Sequence, residues 1–230
     1  MANFYKKSQF AGGGEQPEKS QKGRSMIEML GVLAIIGVLS IAGIAAYSQA
    51  MFKYQLTTQA EAINLLFHRA IELQPILQRE YGRKITGGQN VAKIMAETEM
   101  LPNGIFYDAK NTKIYDVFKN NIVISYQRSS RSDGGSSTDY IIEILMNRDD
   151  DKITDRDRAI CRNIFQAAQQ NADNISNIGM RSYKDSGYSS KSLGGKTLRE
   201  AGIAEINNVC NSCNSQRDCV IIMYISVVLH

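Results

Sequence analysis

The chain has 230 residues, 43% apolar and 22% charged, with 27 basic against 23 acidic side chains for a formal net charge of +4. Together with a mean hydropathy of -0.28, this excludes a mostly disordered chain and one that crosses a membrane many times. The basic surplus is too small and too scattered to indicate a nucleic-acid partner.

Residues 1–23 are polar and Gly-rich, with Lys6, Lys7, Lys19 and Lys22 against Glu15 and Glu18, which leaves +2 (4 - 2). With no apolar stripe, this segment cannot bury enough surface to order itself and reads as a disordered leader. The next stretch has the opposite character. No charged side chain occurs from residue 29 to residue 52, a gap of 24 positions in a chain where 22% of residues are charged. As a helix, Met29 to Tyr47 would be about 28 Å long, close to the roughly 30 Å hydrocarbon core of a bilayer. It is apolar all round rather than striped, so it requires lipid or complete burial.

Four readings of this run compete. For a secretory signal peptide the apolar run is too long and Glu28 stands at its head, although Ser48-Gln49-Ala50 has the small residues of a cleavage site. A lipoprotein signal needs a cysteine after the run, which the sequence does not supply. A soluble core helix fits poorly beside a basic leader. A membrane anchor satisfies both length and flanks, and Lys19, Lys22 and Arg24 then place the N-terminus in the cytoplasm and the remainder outside. Glu28 itself has two uses. Ser25-x-x-Glu28 is a capping box for the helix start, and a carboxylate so close to hydrocarbon is costly and generally has a partner.

Lys22-Gly23-Arg24-Ser25-Met26-Ile27-Glu28, followed by Met29-Leu30-Gly31-Val32-Leu33-Ala34-Ile35-Ile36-Gly37, resembles the N-terminal signature of type IV pilins and the related pseudopilins. The family has a basic leader ended by glycine, a glutamate fifth after the cut, and an unbroken apolar helix. The resemblance covers about residues 20–60. It implies that a prepilin peptidase cuts between Gly23 and Arg24, that Arg24 is then N-methylated, and that 207 residues (230 - 23) remain. It further implies that Glu28 pairs with the terminal ammonium of a neighbouring subunit during filament assembly. A charge pair in an apolar bundle fixes register more than it adds stability. Arg24 departs from the apolar residue usual in the family and would have to snorkel or find an acidic partner. The 23-residue leader is similar to those of the type IVb branch.

Downstream, Tyr47, Met51, Tyr54, Ala62, Leu66, Ala70, Leu73 and Leu77 recur at helical steps, with Lys53, Gln55, Gln59, Glu61 and Arg69 on the other faces. One helix from about 25 to 80 is expected, half anchor and half amphipathic spine, with a sheet rather than a coiled-coil partner on its stripe. Pro75 should kink or end it. After the Gly87-Gly88 break, Asn90 to Leu101 reads as a short helix ended by Pro102. Residues 121–127 and 139–146 read as strands of a hairpin around a turn-rich loop at 128–138. Residues 156–170 suggest a helix, 179–196 a Gly/Ser loop, and Cys219 to Val228 a strand too short to span a bilayer. The expected fold is α+β: a long N-terminal helix, part transmembrane and part amphipathic, packed on an antiparallel sheet. Its segments are leader 1–23, filament-core helix 24–50, spine 51–80 and head 81–230.

Cys161, Cys210, Cys213 and Cys219 all fall in the presumed exported part, where disulfides are the default and three connectivities are open. By the resemblance, Cys161 joined to Cys210 or Cys219 would staple a C-terminal loop. A zinc site or a redox pair at Cys210-Asn211-Ser212-Cys213 is the competing reading, but neither His68 nor His230 lies nearby in sequence. The run from Asn147 to Asp157 offers Asp149, Asp151 and Asp155 as weak calcium candidates. Lys152 stands where a calcium loop needs glycine, so a solvated turn with Asp155 or Asp157 capping the next helix is the plainer reading. No nucleophile elbow or phosphate loop occurs.

The function expected is therefore non-enzymatic, with no cofactor: a pilin assembled from the inner membrane, whose partners are the peptidase, other pilin subunits, an inner-membrane assembly platform and membrane lipid. The alternatives are a pseudopilin of type II secretion, or a periplasmic binding or enzymatic domain on an uncleaved anchor.

Overall fold

The computed structural model describes residues 26–81, 89–130, 136–146, 153–184, 187–213 and 218–226. Gly23, Arg24, Ser25, the Gly87-Gly88 break and Asp149 to Asp151 lie outside the described residues. The chain divides into two units, Met1–Ser48 and Gln49–His230.

The first unit is described from Met26, where helix α1 (Met26–Tyr81) begins. All its described residues are exposed. The second unit begins within the same helix. Ala62, Ile63, Leu66, Phe67, Ala70, Leu73 and Leu77 are buried, a stripe at three- and four-residue steps as the sequence requires. Pro75 does not end the helix, which continues to Tyr81. Pro75 is on the exposed side, and Leu73 and Leu77, each 1% exposed, anchor the turns around it. Core packing thus outweighs the one backbone hydrogen bond that proline removes.

The rest of this unit is an antiparallel sheet with three shorter helices: β1 (Gln89–Asn90), α2 (Ala92–Glu97), β2 (Phe106–Asp108), β3 (Lys113–Tyr115), β4 (Asn121–Ser130), β5 (Ser136–Leu145), α3 (Asp155–Gln169), β6 (Ile175–Lys184), β7 (Gly187–Ser192), α4 (Ile203–Asn211) and β8 (Asp218–Ser226). The eight strands are ordered β2-β3-β4-β5-β8-β6-β7, with β1 also paired to β4. The α+β arrangement of a long N-terminal helix with an antiparallel sheet is therefore the observed one.

The expected hairpin is β4–β5, paired from Asn121↔Leu145 to Ser130↔Ser136, so the ladder takes in both shoulders of the expected loop. Ile122, Ile124 and Tyr126 alternate onto the core face and meet Tyr140, Ile142 and Ile144, as period-two burial requires. Strand β8 lies between β5 and β6. Its Cys219, Val220, Ile221, Ile222 and Met223 are buried without alternation.

Two expectations fail. The stretch 179–196 is not a loop, because β6 and β7 pair along it from Gly179↔Ser192 to Lys184↔Gly187. An edge strand is held by backbone bonds and needs no apolar face, so Ser190, Lys191 and Ser192 can stand exposed. The helix expected from Asn90 to Leu101 is limited to Ala92–Glu97. Asn90 belongs to β1, and the Val91 N–H donates to the Ile124 carbonyl at 3.0 Å, which uses the start of that segment for the sheet. Glu99 adopts a left-handed φ of 56° just past the end. Helix α4, which buries Ile206, Val209 and Cys210 at helical steps, and the β2–β3 hairpin lie outside the elements expected from the sequence.

Candidate functional site

The first unit presents an apolar surface. Helix α1 contains an 18-residue window of mean hydropathy 2.5, none of it buried. Met26, Ile27, Leu33, Ile35, Leu39, Ile41 and Ile44 are all more than half exposed. Ser40, the one hydroxyl among residues 29–46, donates to the Ile36 carbonyl at 2.7 Å. Its donor is satisfied within the helix and asks for no outside partner. Glu28 is the acidic residue of the first turn and is exposed, next to the positive end of the helix dipole.

Where α1 enters the second unit, the side chains form a buried polar knot. Gln59 is fully buried, although the sequence pattern put it on a polar face; the correction follows from what it touches. Its Nε2 donates to Asp116 Oδ2 at 2.6 Å, while Asn163 Nδ2 donates to Gln59 Oε1 at 2.9 Å and to the Leu56 carbonyl at 2.7 Å. Asn120 Nδ2 also donates to Asp116 Oδ2 at 2.8 Å. The backbone N–H groups of Phe118 and Asn120 donate to Asp116 Oδ1, both at 2.9 Å. Asp116 is 1% exposed. Burial pushes its carboxyl above the ordinary value and outweighs the hydrogen bonds from Gln59 and Asn120, which act the other way. The knot joins α1, the β3–β4 turn and α3. A lone Gln among polar neighbours gives no signal of it in sequence.

The four cysteines form two disulfides, Cys161–Cys210 and Cys213–Cys219, each with a Cα separation of 5.8 Å, in the usual range. The first ties α3 to α4; the second ties Cys213, two residues past the end of α4, to β8. Cys210 and Cys213 are thus in different bonds, and the redox-pair reading of that spacing is overturned. The zinc reading falls with it, since disulfide sulfurs offer no thiolate ligand.

Among the described residues no group of three or more His, Cys, Asp or Glu could hold a metal. Asp155, the described member of the calcium candidates, pairs with Arg158 at 2.8 Å. The helix cap is neither Asp155 nor Asp157. It is Thr154, whose hydroxyl accepts from the Asp157 N–H while the Asp157 carboxylate accepts from the Thr154 N–H, a reciprocal box.

No family model matches the chain, and no curated protein does. Among solved structures, the chain is similar to a type IV b pilin from Salmonella typhi, at 12% identity and a TM-score of 0.47, over 74% of this chain and 99% of that one.

Proposed function

We propose that this chain is a structural subunit of a type IV-type pilus, held in the inner membrane by residues 24–50 until it is drawn into a filament. The observation that carries the reading is the contrast along a single helix. From Met26 its apolar side chains stand exposed, and from Gln59 onward its stripe is buried against a sheet. A surface of that kind is unstable in water and stable in lipid or among copies of itself. The Gly23-to-Gly37 motif, in which Glu28 stands fifth after the glycine, supports filament assembly over a plain anchor.

In this reading the leader 1–23 keeps the N-terminus in the cytoplasm, and a prepilin peptidase frees and methylates Arg24. Glu28 then docks against the new amino terminus of a neighbouring subunit on an inner-membrane assembly platform. The spine 51–80 and the head 81–230 form the exported surface. The disulfides hold the C-terminal part of that head and fit an oxidising compartment.

Mass spectrometry of the membrane fraction and of sheared fibres tests this. The expected result is a chain beginning at Arg24 and carrying a methyl group. An intact N-terminus in cells with an active peptidase would refute it. Glu28→Ala should leave the protein in the membrane and abolish fibres. Recovery in long extracellular fibres is expected of a pilin, whereas retention in the envelope would favour a type II secretion pseudopilin.

A further inference from the structure

We propose that the end of the second unit where α1 enters is a lipid-contact surface, which binds headgroup phosphates of the bilayer that holds the anchor. The proposal rests on the anchor reading above. Phe52 of α1 and Phe118 of the β3–β4 turn meet edge-on with ring centroids 5.8 Å apart. The Arg156 guanidinium, from the first turn of α3, lies 4.9 Å from the Phe52 ring centre and 5.7 Å from that of Phe118. It also donates to Gln55 Oε1 at 3.3 Å. Arg156 is nevertheless exposed. Stacking and the Gln55 bond fix the plane of the guanidinium, so less freedom is lost when its fork meets a phosphate.

Two more cations accompany the rings. Lys53 follows Phe52 and Lys119 follows Phe118, and both are exposed. Lys119 is held at a φ of 62° by the turn that wraps Asp116. The neighbouring carboxylates are occupied internally: Asp155 by Arg158, Asp157 by the Thr154 cap, and Asp116 by four donors in the knot. Among the described residues none of Lys53, Lys119 and Arg156 is in an ion pair. Three cations from three elements therefore lie on or next to an aromatic pair in sequence or in space, and none of them is tied up in an ion pair among the described residues.

The sequence says where this cluster would sit. The uncharged run has 24 residues and ends at Phe52, whereas about 20 suffice to cross the hydrocarbon. Its last residues reach the headgroup layer, where aromatic rings and Lys or Arg are favoured. Exposed Tyr54 adds a further amphipathic ring at that level. An Arg that merely covered two rings would be equally at home in water; the cations make the difference, because they are attracted to a phosphate surface.

The chain has no tryptophan, so Phe118→Trp gives a single reporter in the full-length protein. In nanodiscs containing brominated phosphatidylglycerol its emission should be quenched relative to bromine-free discs. Quenching should be lost in the Lys53→Gln, Lys119→Gln, Arg156→Gln triple variant and weakened by added salt. Emission indifferent to bromine, or quenching that survives the triple change, would overturn the proposal. Tyr47→Trp in a separate chain reports the anchor: if it too is unquenched, the anchor reading has failed rather than this one. Should Phe118→Trp disturb folding, hydrogen exchange of the natural chain over residues 116–120 gives the same comparison. Slower exchange in discs than in detergent supports the surface, and equal exchange overturns it.

Discussion

Cys161→Ala with Cys210→Ala removes a bond between residues 49 apart, and Cys213→Ala with Cys219→Ala removes one between residues 6 apart. In the chain-entropy treatment the closed loop restricts the unfolded chain by an amount that grows with the logarithm of its length. That gives about 4 kcal/mol for the long loop and about 2 kcal/mol for the short one. All four sites are buried, so the packing lost on truncation is similar for the two pairs and the difference between them reports loop length. For a unit of this size each kcal/mol moves Tm by roughly 2–4 °C, so the long-loop variant should melt roughly 8–16 °C lower and the short-loop variant roughly 4–8 °C lower. Far-ultraviolet circular dichroism of the full chain in detergent, with urea titration as a second measurement, provides the comparison. Equal losses, or a larger loss for Cys213–Cys219, would refute the entropic reasoning.

Asp116 supplies a pH dependence. Its carboxyl is raised above the ordinary value of 3.8 by burial, so between 3.8 and the raised value the folded chain binds more protons than the unfolded one. Stability from this group therefore falls as pH rises through that window, and urea titrations at several pH values should show that slope in the natural chain and not in Asp116→Asn. Gly104 holds a φ of 91°, and a Cβ there would lie 3.0 Å from the Thr58 methyl and 3.2 Å from the Ala62 Cβ. Gly104→Ala should thus destabilise by about 1–3 kcal/mol in urea titrations. Tyr140 is fully buried and its hydroxyl has no hydrogen-bond partner among the described residues, so Tyr140→Phe should leave stability unchanged or raise it by up to about 1 kcal/mol. A clear loss in the same assay would show that the hydroxyl is paired in solution.

The features written into local periodicity were legible along the chain alone. The charge-free run, the three- and four-residue steps from Ala62 to Leu77, the alternation from Ile122 to Tyr126 and the apolar run at Cys219 each repeat one physical requirement along the chain. What depends on partners distant in sequence emerged only from the packed fold. Gln59 looks like any polar helix residue until Asp116, 57 positions away, is brought against it. The serine-rich stretch of β7 becomes a strand because β6 offers a ladder, not because its side chains seek a core. Pro75 stays inside α1 because the leucines around it are buried. Which cysteine meets which was open in sequence for the same reason: spacing sets the length of a loop, but only the packing of α3, α4 and β8 sets which sulfurs are close enough to bond.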